Sequence, residues 1–326
     1  MIVALTGASG HIGSNLIRER LSLGHQVRVL LHKDNRTFEG LDISTIQGTI
    51  HDKESLVELF KDSEIVFHLA ALISIEKNGM DELTRTNVEG TKHVIECCKL
   101  AGVRRLVHFS SIHALFAEKH CTKLDESSPL NLESKIPYER TKAFSEHIAM
   151  EEAQKNGLEL VVVNPTAVIG PWDFGPSYLG QFLIRLYQGK IPALLHGGYN
   201  WVDARDVSLG AISAAMKGSP GERYILSGTW ADLKTFVRMW SKVTGKEISL
   251  PLLPYTLAKF GIPFIQLWAK LNKNHPLYTR ESLEIIRNGC DNIPYTKAQK
   301  ELDYSPRPLI ETLKDSYSWY QTNSYI

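Results

Sequence analysis

The chain has 326 residues, enough for one large or two modest domains with a substantial buried core. Hydrophobic residues make up 43% and charged residues 22%, which is typical of a globular protein, and the net charge of +1 gives no reason to expect a nucleic-acid partner. The four cysteines lack zinc-site spacing, so no metal site is predicted, and we interpret them as reduced thiols. Since a strand pattern begins at residue 2, no signal peptide is expected and the predicted location is cytoplasmic.

The first 31 residues predict a strand, a helix and a second strand, with three glycines in the first turn. Residues 2–5 are an apolar run, the apolar positions after Gly13 follow a helical period, and residues 27–31 are apolar again. Glycine permits a tight turn and lets a ligand approach the backbone, while a helix N-terminus offers free N–H groups to an anion. This context predicts a dinucleotide site whose diphosphate lies at Gly7, Gly10, His11, Ile12 and Gly13, rather than a glycine-rich turn without a ligand.

Alternating strand and helix patterns continue to residue 165. Further strands are predicted at 44–50, 64–71, 104–112 and 158–165, and helices at 52–62, 80–102 and 137–157. This alternation predicts an α/β fold of the Rossmann type, a doubly wound parallel sheet with helices on both faces, whose ligands bind beyond the carboxyl ends of the strands. We predict a dinucleotide-binding domain at 1–165, to which 200–228 returns, and a smaller, mostly helical substrate domain at 166–326.

The segment 251–272 is apolar and rich in aromatic residues. Lys259, Lys270 and three prolines interrupt it, whereas a membrane-spanning helix needs about 20 mostly apolar residues with few charges. We therefore predict helices that cover a pocket and no stable membrane insertion, with loose membrane association as the alternative.

Tyr138 and Lys142 lie four residues apart on a predicted helix, so their side chains share one face. A nearby ammonium is expected to lower the pKa of a phenol from about 10, which suits proton transfer to or from a substrate oxygen. Ser110 and Ser111 end a predicted strand, where a hydroxyl could bond the same oxygen. Each element also has an ordinary structural explanation, because Y-x-x-x-K occurs by chance and serines are common at strand ends.

The combination of motifs resembles an extended short-chain dehydrogenase/reductase of the broad NAD-dependent epimerase/dehydratase superfamily. The motifs occur in the order of the family and span about half the chain: T-G-x-x-G-x-x-G at 6–13, His-Leu-Ala-Ala at 68–71, Asn-Val-Glu-Gly-Thr at 87–91, the serine pair, Tyr138-x-x-x-Lys142, and Asn-Pro-Thr at 164–166. Within the family, residues 163–173 and 197–228 most resemble dihydroflavonol 4-reductase-like proteins.

The resemblance implies roles for individual residues. Tyr138 would be the proton donor, Lys142 would hold the nicotinamide ribose, and Ser111 would bond the substrate oxygen, with Ser110 as the second candidate. Asn87 would help to shape the site. The remaining cofactor contacts implied are Thr49, Ile50, Leu69, Ala70, Ala71, Pro165, Thr166 and Val168.

Two departures from the family pattern bear on the ligands. Thr49 stands where many members carry Asp, which leaves the adenine contact open. Leu-Phe-Ala at 115–117 replaces the usual Tyr-Gly, which disfavours a typical sugar-nucleotide site.

The end of the second strand bears on the choice between NAD and NADP. An acidic side chain there would bond the ribose 2′-hydroxyl of NAD, whereas a 2′-phosphate needs cations. The sequence offers His32, Lys33 and Arg36, with Asp34 as the nearby acid. We therefore favour NADP(H) as cofactor, with NAD(H) and a merely solvated basic loop as the alternatives.

The sequence thus predicts an NADP(H)-dependent oxidoreductase that reduces a ketone or aldehyde of a small, apolar or aromatic substrate. Besides Ser111, the candidate substrate contacts are Phe116, Trp172 and Tyr178, with Phe174 and Trp201 as further aromatic candidates. One alternative is a nucleotide-sugar epimerase or dehydratase with tightly bound NAD, for which Asp173, Arg185 and Arg205 are available. Another is a non-catalytic NADP-sensing protein. Because the family often pairs through two helices of the sheet domain, a homodimer is a further expectation.

Overall fold

The computed structural model describes residues 1–32, 36–73, 79–118, 121–257, 283–284 and 289–326. In chain order its elements are β1 Ile2–Thr6, α1 His11–Ser22, β2 Gln26–Leu31, β3 Ser44–Gln47, α2 Lys53–Phe60, β4 Ile65–His68, α3 Met80–Leu83, a π-helical segment Thr84–Glu89, α4 Gly90–Leu100, β5 Arg105–Phe109, α5 Pro137–Asn156, β6 Glu159–Pro165, β7 Ala167–Ile169, α6 Tyr178–Tyr187, β8 Leu194–Leu195, β9 Gly198–Asp203, α7 Ala204–Lys217, β10 Arg223–Leu226, β11 Thr229–Asp232, α8 Leu233–Thr244, β12 Leu252–Leu253, α9 Thr296–Leu302 and α10 Leu309–Thr322.

A seven-stranded parallel sheet forms the centre of the fold, as predicted. The spatial order is β3-β2-β1-β4-β5-β6-β10. The chain builds outward from β1 to β3 on one side and then resumes at β4 on the other, so the order reverses between β1 and β4. Thr6 and His68 end these two strands in register, and a ligand crevice is expected beyond them.

The strands of the sheet are apolar on both faces because helices cover both. On one face, Val3 and Leu5 of β1 pack in a buried cluster with residues of α1 and α7. On the other face, Ala4 packs with residues of α2, α4 and α5. The alternation of side chains along each strand thus supplies two separate cores, which explains the continuous apolar runs in the sequence.

The capping residues of two helices are those that the sequence indicates. Asp52 caps α2, where its carboxylate accepts hydrogen bonds from the backbone N–H groups of Glu54 and Ser55. Gly157 ends α5 in the left-handed conformation, with φ of 67°.

The prediction of one regular α-helix at 80–102 is wrong for the interior of that segment. The chain forms α3, then the π-helical segment, then α4. A one-turn widening leaves the apolar period nearly unchanged, so periodicity cannot detect it, and such turns are frequent at functional sites. Here the wide turn contains Asn87, whose side chain reaches the loop after β4.

A second buried cluster lies around a three-stranded sheet, β11-β9-β7. Trp201 of β9 stacks on Phe236 of α8 at 3.8 Å between ring centroids, and Trp240 and Leu313 are buried in the same cluster. Trp201 is therefore a core residue and not a pocket wall. These strands have three to six residues, too short for alternation to separate them from loops.

Strand β10 belongs to the large sheet and helix α7 packs on it, although both follow β6 by some forty residues or more. β10 pairs in parallel with β6 as the edge strand, and α7 packs on the sheet beside α1. The guanidinium of Arg105 in β5 donates to the backbone oxygens of Ala215 and Gly218 at 2.9 and 3.1 Å, which anchors the end of α7. The proposed boundaries of two domains stay a prediction.

The apolar segment 251–272 lies mostly outside the described residues. Its first part contains β12, which pairs with β8. Over the part of the chain that the structure describes, no helix combines the length and hydrophobicity needed to cross a membrane.

Candidate active site

The glycine turn after β1 fits against the chain that follows β4. Gly7 has φ of 72°, and a Cβ there would collide with the backbone nitrogen of Ala70. A Cβ on Gly13 would lie 2.6 Å from the carbonyl oxygen of Gly7. Both positions require glycine, because the obstacles are backbone atoms that cannot rotate away.

The N-terminus of α1 opens at this turn with its backbone donors available. Its cap residue, Gly10, has no side chain, and the first turn carries no acidic residue. The N–H groups of a helix start and the positive end of its dipole suit a phosphate. The bare backbone and the uncapped helix start therefore fit the diphosphate of a dinucleotide.

A cavity of about 710 Å³ extends from this turn across the carboxyl ends of the strands. It contains most of the predicted site residues: Gly7, Gly10, His11, Ile12, Gly13, Leu69, Ala71, Ser111, Phe116, Tyr138, Lys142, Pro165, Thr166, Val168 and Tyr178. Its other walls are largely apolar. The fold thus brings together residues that are up to about 170 positions apart in sequence.

Six predicted site residues do not line this cavity, and Lys33 lies outside the described residues. His32 and Arg36 are exposed around the end of β2. Thr49 accepts a hydrogen bond from the backbone N–H of His51, and Ile50 is buried. The backbone of Ala70 lies against Gly7. Trp172 is the sixth predicted residue that does not line the cavity.

Trp172 packs outward because its loop is attached to α1. The backbone oxygen of Trp172 accepts a hydrogen bond from Ser14 Oγ at 2.6 Å, and that of Pro171 accepts one from Asn15 Nδ2 at 3.0 Å. Trp172 has φ of 64°, and its ring lies 4.2 Å from the guanidinium carbon of Arg18. As a substrate contact, Trp172 is therefore not supported by its position.

Tyr138 and Lys142 share one face of α5, and the ammonium of the lysine bonds the backbone of the neighbouring strand. Lys142 Nζ donates to the backbone oxygen of Phe109 at 2.7 Å, and burial lowers the pKa of this ammonium to about 8. Burial raises the pKa of Tyr138, while a hydrogen bond with Ser111 lowers it. The expectation that Lys142 lowers the pKa of Tyr138 is thus wrong for this structure, because burial of the phenol dominates and the ammonium is bonded to β5.

The two serines at the end of β5 have different surroundings. Ser111 contacts Tyr138, and its Oγ accepts a hydrogen bond from the backbone N–H of His113 at 3.2 Å. Ser110 is 7% exposed, and its Oγ has no hydrogen-bond partner within the described residues. The sequence favours Ser111, with Ser110 as the second candidate, and the influence of Ser111 on the pKa of Tyr138 supports that preference.

Asn87 joins the loop after β4 to α5. Its Oδ1 accepts from the backbone N–H of Leu72 at 2.8 Å, while its Nδ2 donates to the oxygen of Leu72 at 3.0 Å and to Thr141 Oγ1 at 3.2 Å. These bonds hold residues 69–72 in place beside Tyr138 without exposing Asn87, which is 1% accessible.

Behind the cavity lies a buried polar network that sequence reasoning did not find. His68 bonds Thr6 Oγ1 at 2.7 Å and Thr91 Oγ1 at 3.0 Å, and Thr91 in turn bonds Ser145 Oγ at 2.9 Å. Ser145 also contacts His108 at 3.3 Å. The network ties β1, β4, α4 and α5 together, so it fixes the glycine turn relative to the helix of Tyr138.

Acid should destabilise the fold through His68. Burial lowers the pKa of His68 to about 3, with a smaller contribution from the charge of Lys142, whereas histidine in an unfolded chain has a pKa of about 6.5. Between these values the unfolded chain binds more protons, so stability falls as the pH drops from 6.5 toward 3, by about 2 kcal/mol at pH 5. Denaturant unfolding should show a smaller loss between pH 7 and pH 5 in His68→Gln than in the wild type. An equal loss in both proteins would contradict this origin.

Comparison with known proteins identifies the class. Residues 3–226 match the model of the NAD dependent epimerase/dehydratase family, and the chain belongs to this family. It is an extended short-chain dehydrogenase/reductase, a class of NAD(P)-dependent enzymes that act on small molecules.

Two relatives match this chain over nearly its whole length. Sterol demethylase protein B of Methylococcus capsulatus is 30% identical over 100% of both chains. A putative dihydroflavonol 4-reductase of Synechocystis is 30% identical over 99% of this chain and 95% of its own. Among solved structures, gox2253 superposes with a TM-score of 0.86 at 28% identity, covering 100% of this chain and 99% of the other.

Further relatives are named as reductases and as a dehydratase. They include a farnesyl-quinoline-oxide ketoreductase of Stigmatella aurantiaca, cinnamoyl-CoA reductases of plants, and a dTDP-glucose 4,6-dehydratase of Streptomyces antibioticus. This chain is accordingly an NAD(P)-dependent oxidoreductase of the extended type, and the resemblance to dihydroflavonol 4-reductase-like proteins is confirmed.

Proposed function

We propose that the protein uses NADP(H) to reduce the carbonyl group of a small apolar or aromatic molecule. The observation that carries this proposal is that Tyr138 and Ser111 line one largely apolar cavity, which is continuous with the glycine turn. When bound, the nicotinamide dinucleotide supplies the hydride. The protein has to hold the substrate oxygen and deliver one proton to it.

Three residues, Ser111, Tyr138 and Lys142, would carry out these tasks. Ser111 Oγ donates a hydrogen bond to the carbonyl oxygen and fixes its position beside the phenol. Tyr138 Oη transfers its proton to that oxygen as the alcohol forms, and the raised pKa of Tyr138 keeps the phenol protonated beforehand. The ammonium of Lys142, on the same helix face, would hold the nicotinamide ribose.

The cavity walls support an apolar substrate. Phe116, Leu124, Ile136, Leu179 and Phe182 all line it. The names of two relatives refer to carbon-rich molecules, a sterol and a farnesylated quinoline. An apolar wall with few polar contacts is the usual form of a site for such ligands.

A nucleotide-sugar site receives less support. A diphosphate outside the glycine turn would need cations. Among the described residues, the cavity wall offers no arginine but has two lysines, the exposed Lys135 and Lys142, whose ammonium bonds the backbone of Phe109. Arg205 instead pairs with Asp203 and Asp315, both at 2.7 Å. Asp173 is buried and accepts hydrogen bonds from Ser177. Arg185 donates to Gln181 Oε1 at 3.5 Å. All three charged residues considered for a sugar nucleotide therefore have partners within the protein.

A panel of carbonyl compounds and nucleotide sugars tests the proposal directly. We expect NADPH-dependent reduction of apolar ketones or aldehydes, followed by absorbance and by mass spectrometry of the alcohol product. Turnover of a nucleotide sugar by purified protein that carries tightly bound NAD would overturn it in favour of an epimerase or dehydratase. Binding of NADP without turnover of any compound would instead support a sensing protein.

Arg36 should contribute to cofactor preference. Arg36 is the first residue of a short 3₁₀ helix, Arg36–Phe38, that follows β2, and this position supports a contact with a ribose 2′-phosphate. We expect Arg36→Ala to weaken NADPH binding roughly tenfold, the effect of losing a charge-assisted hydrogen bond, and to leave NADH binding nearly unchanged. Direct titration of both nucleotides measures the two effects. Tighter binding of NADH than of NADPH by the wild type would reverse the proposed preference.

A homodimer and a cytoplasmic location stay predictions from the sequence.

A further inference from the structure

One corner of the apolar cavity is polar, and it lies beside Tyr138. The ring of His113 is 6.2 Å from the ring of Tyr138, centroid to centroid, and edge-on to it. His113 and Glu139 both line the cavity. Neither residue has a role in the proposed proton transfer, so their presence next to the reacting position needs another explanation.

Hydrogen bonds hold both Glu139 and His113 in place. Glu139 Oε2 accepts hydrogen bonds from Ser134 Oγ at 2.7 Å and from Asn131 Nδ2 at 3.2 Å. Its other oxygen lies 3.7 Å from His113 Nδ1. The backbone N–H of His113 donates to Ser111 Oγ at 3.2 Å. The imidazole therefore has a defined place relative to both groups that would hold the reacting carbonyl.

The imidazole is uncharged at neutral pH and faces the cavity. Burial lowers the pKa of His113 to about 4. Burial also raises the pKa of Glu139, with further contributions from Ser134, which lowers it, and from the nearby Glu284, which raises it. The side chain of His113 is still 32% exposed. A neutral imidazole has one donor and one acceptor nitrogen, so it can bond a hydroxyl or a carbonyl without attracting an anion.

The rest of the wall makes such a polar group costly unless a ligand bonds it. Leu115, Phe116 and Leu124 come from the chain that follows His113, and Ile136 precedes α5. A polar group facing an apolar pocket loses hydration when an apolar ligand fills the space, and loses free energy if it gains no partner. A substrate that is apolar throughout would leave His113 in that position.

We propose that His113 is a specificity residue that bonds a second oxygen of the substrate, on a carbon next to the reacting carbonyl or one position further along. This short spacing follows from the distance of 6.2 Å between the ring centroids of His113 and Tyr138. The substrate class is accordingly an apolar hydroxyketone or diketone. This inference rests on the proposed carbonyl reductase function and narrows its substrate. Glu139 acts as a positioning residue for the imidazole.

Matched pairs of ketones test the assignment. Benzoin and 1-phenylbutane-1,3-dione carry the second oxygen, whereas deoxybenzoin and 1-phenylbutan-1-one lack it and are otherwise close in shape. For wild-type protein with NADPH, we expect kcat/KM roughly tenfold higher for at least one oxygenated member over its partner, the effect of one hydrogen bond in a desolvated site.

Two variants separate recognition from structure. His113→Leu retains the backbone N–H that bonds Ser111, and should reduce the preference to about unity by lowering kcat/KM for the oxygenated ketone alone. His113→Gln, which can still hydrogen-bond, should retain part of the preference. NADPH affinity and the melting temperature of both variants serve as controls, because loss of folding would lower activity on both members of a pair.

The outcomes distinguish this inference from the proposed function. Equal kcat/KM within both pairs, or a preference unchanged in His113→Leu, overturns the role of His113 while leaving a carbonyl reductase in place. If the wild type reduces neither member of either pair and calorimetry detects no binding of them in the presence of NADP, both the inference and its basis fail. A preference lost in His113→Leu and kept in His113→Gln supports the inference.

Discussion

Replacing Tyr138 with phenylalanine should reduce turnover by roughly 10²–10⁴-fold, the usual contribution of a positioned general acid. The change removes only Oη, which is the atom that would donate the proton. The ring remains, and with it the edge contact to His113. Because no contact to the glycine turn is lost, NADPH affinity should be almost unchanged.

Steady-state kinetics with NADPH and a reactive ketone, together with a separate nucleotide titration, measure both effects. Tyr317→Phe is a suitable control, since Tyr317 lies on α10 and does not line the cavity. It removes the same atom from the same residue type and should retain turnover. Full activity in Tyr138→Phe would refute the role of the phenol, and loss of NADPH binding would show that Tyr138 acts mainly on the cofactor.

The second large effect is expected at the glycine turn. Gly7→Ala should lower the free energy of unfolding by more than the roughly 1–2 kcal/mol that a left-handed conformation costs a non-glycine residue. The new Cβ also collides with the backbone of Ala70, so the turn or β4 has to move. Since the turn would cradle the diphosphate, we expect NADPH affinity to fall at least about tenfold.

Gly24→Ala isolates the cause. Gly24 has the same φ of 72° but no atom within 4 Å of the added Cβ. It should therefore show the conformational cost alone and no change in NADPH binding. Denaturant unfolding and nucleotide titration of both variants give the comparison. Equal stability losses would mean that the collision with Ala70 is relieved without cost, and unchanged NADPH binding in Gly7→Ala would remove the turn from the cofactor site.

Much of the fold and part of the site could be predicted because their signals are local. The glycine turn, the cap Asp52 and the terminal Gly157 each express a backbone requirement within a few residues, and strand runs express burial on both faces. Tyr138 and Lys142 share a face for the same reason, since helical spacing fixes it.

What the sequence did not predict depends on contacts between distant segments. Lys142 reaches the backbone of Phe109, which helical spacing cannot foresee. Burial of the phenol raises the pKa of Tyr138, opposite to the expected shift. Trp172 is aromatic, as pocket residues often are. A hydrogen bond from α1 to its loop nevertheless holds Trp172 away from the cavity. The pairing of His113 with Glu139 depends on how the turn after β5 meets the start of α5.

The late position of β10 in the chain affects how the protein folds while it is being synthesised on the ribosome. Until Leu226 has emerged, the outer edge of β6, with its buried valines at 161–163, lacks the strand that pairs with it. The 61 residues that follow Pro165, up to and including Leu226, take roughly 3–12 seconds to add at about 5–20 residues per second. During that interval the nascent chain presents an open, apolar β edge, the kind of surface that other chains add to and that chaperones shield.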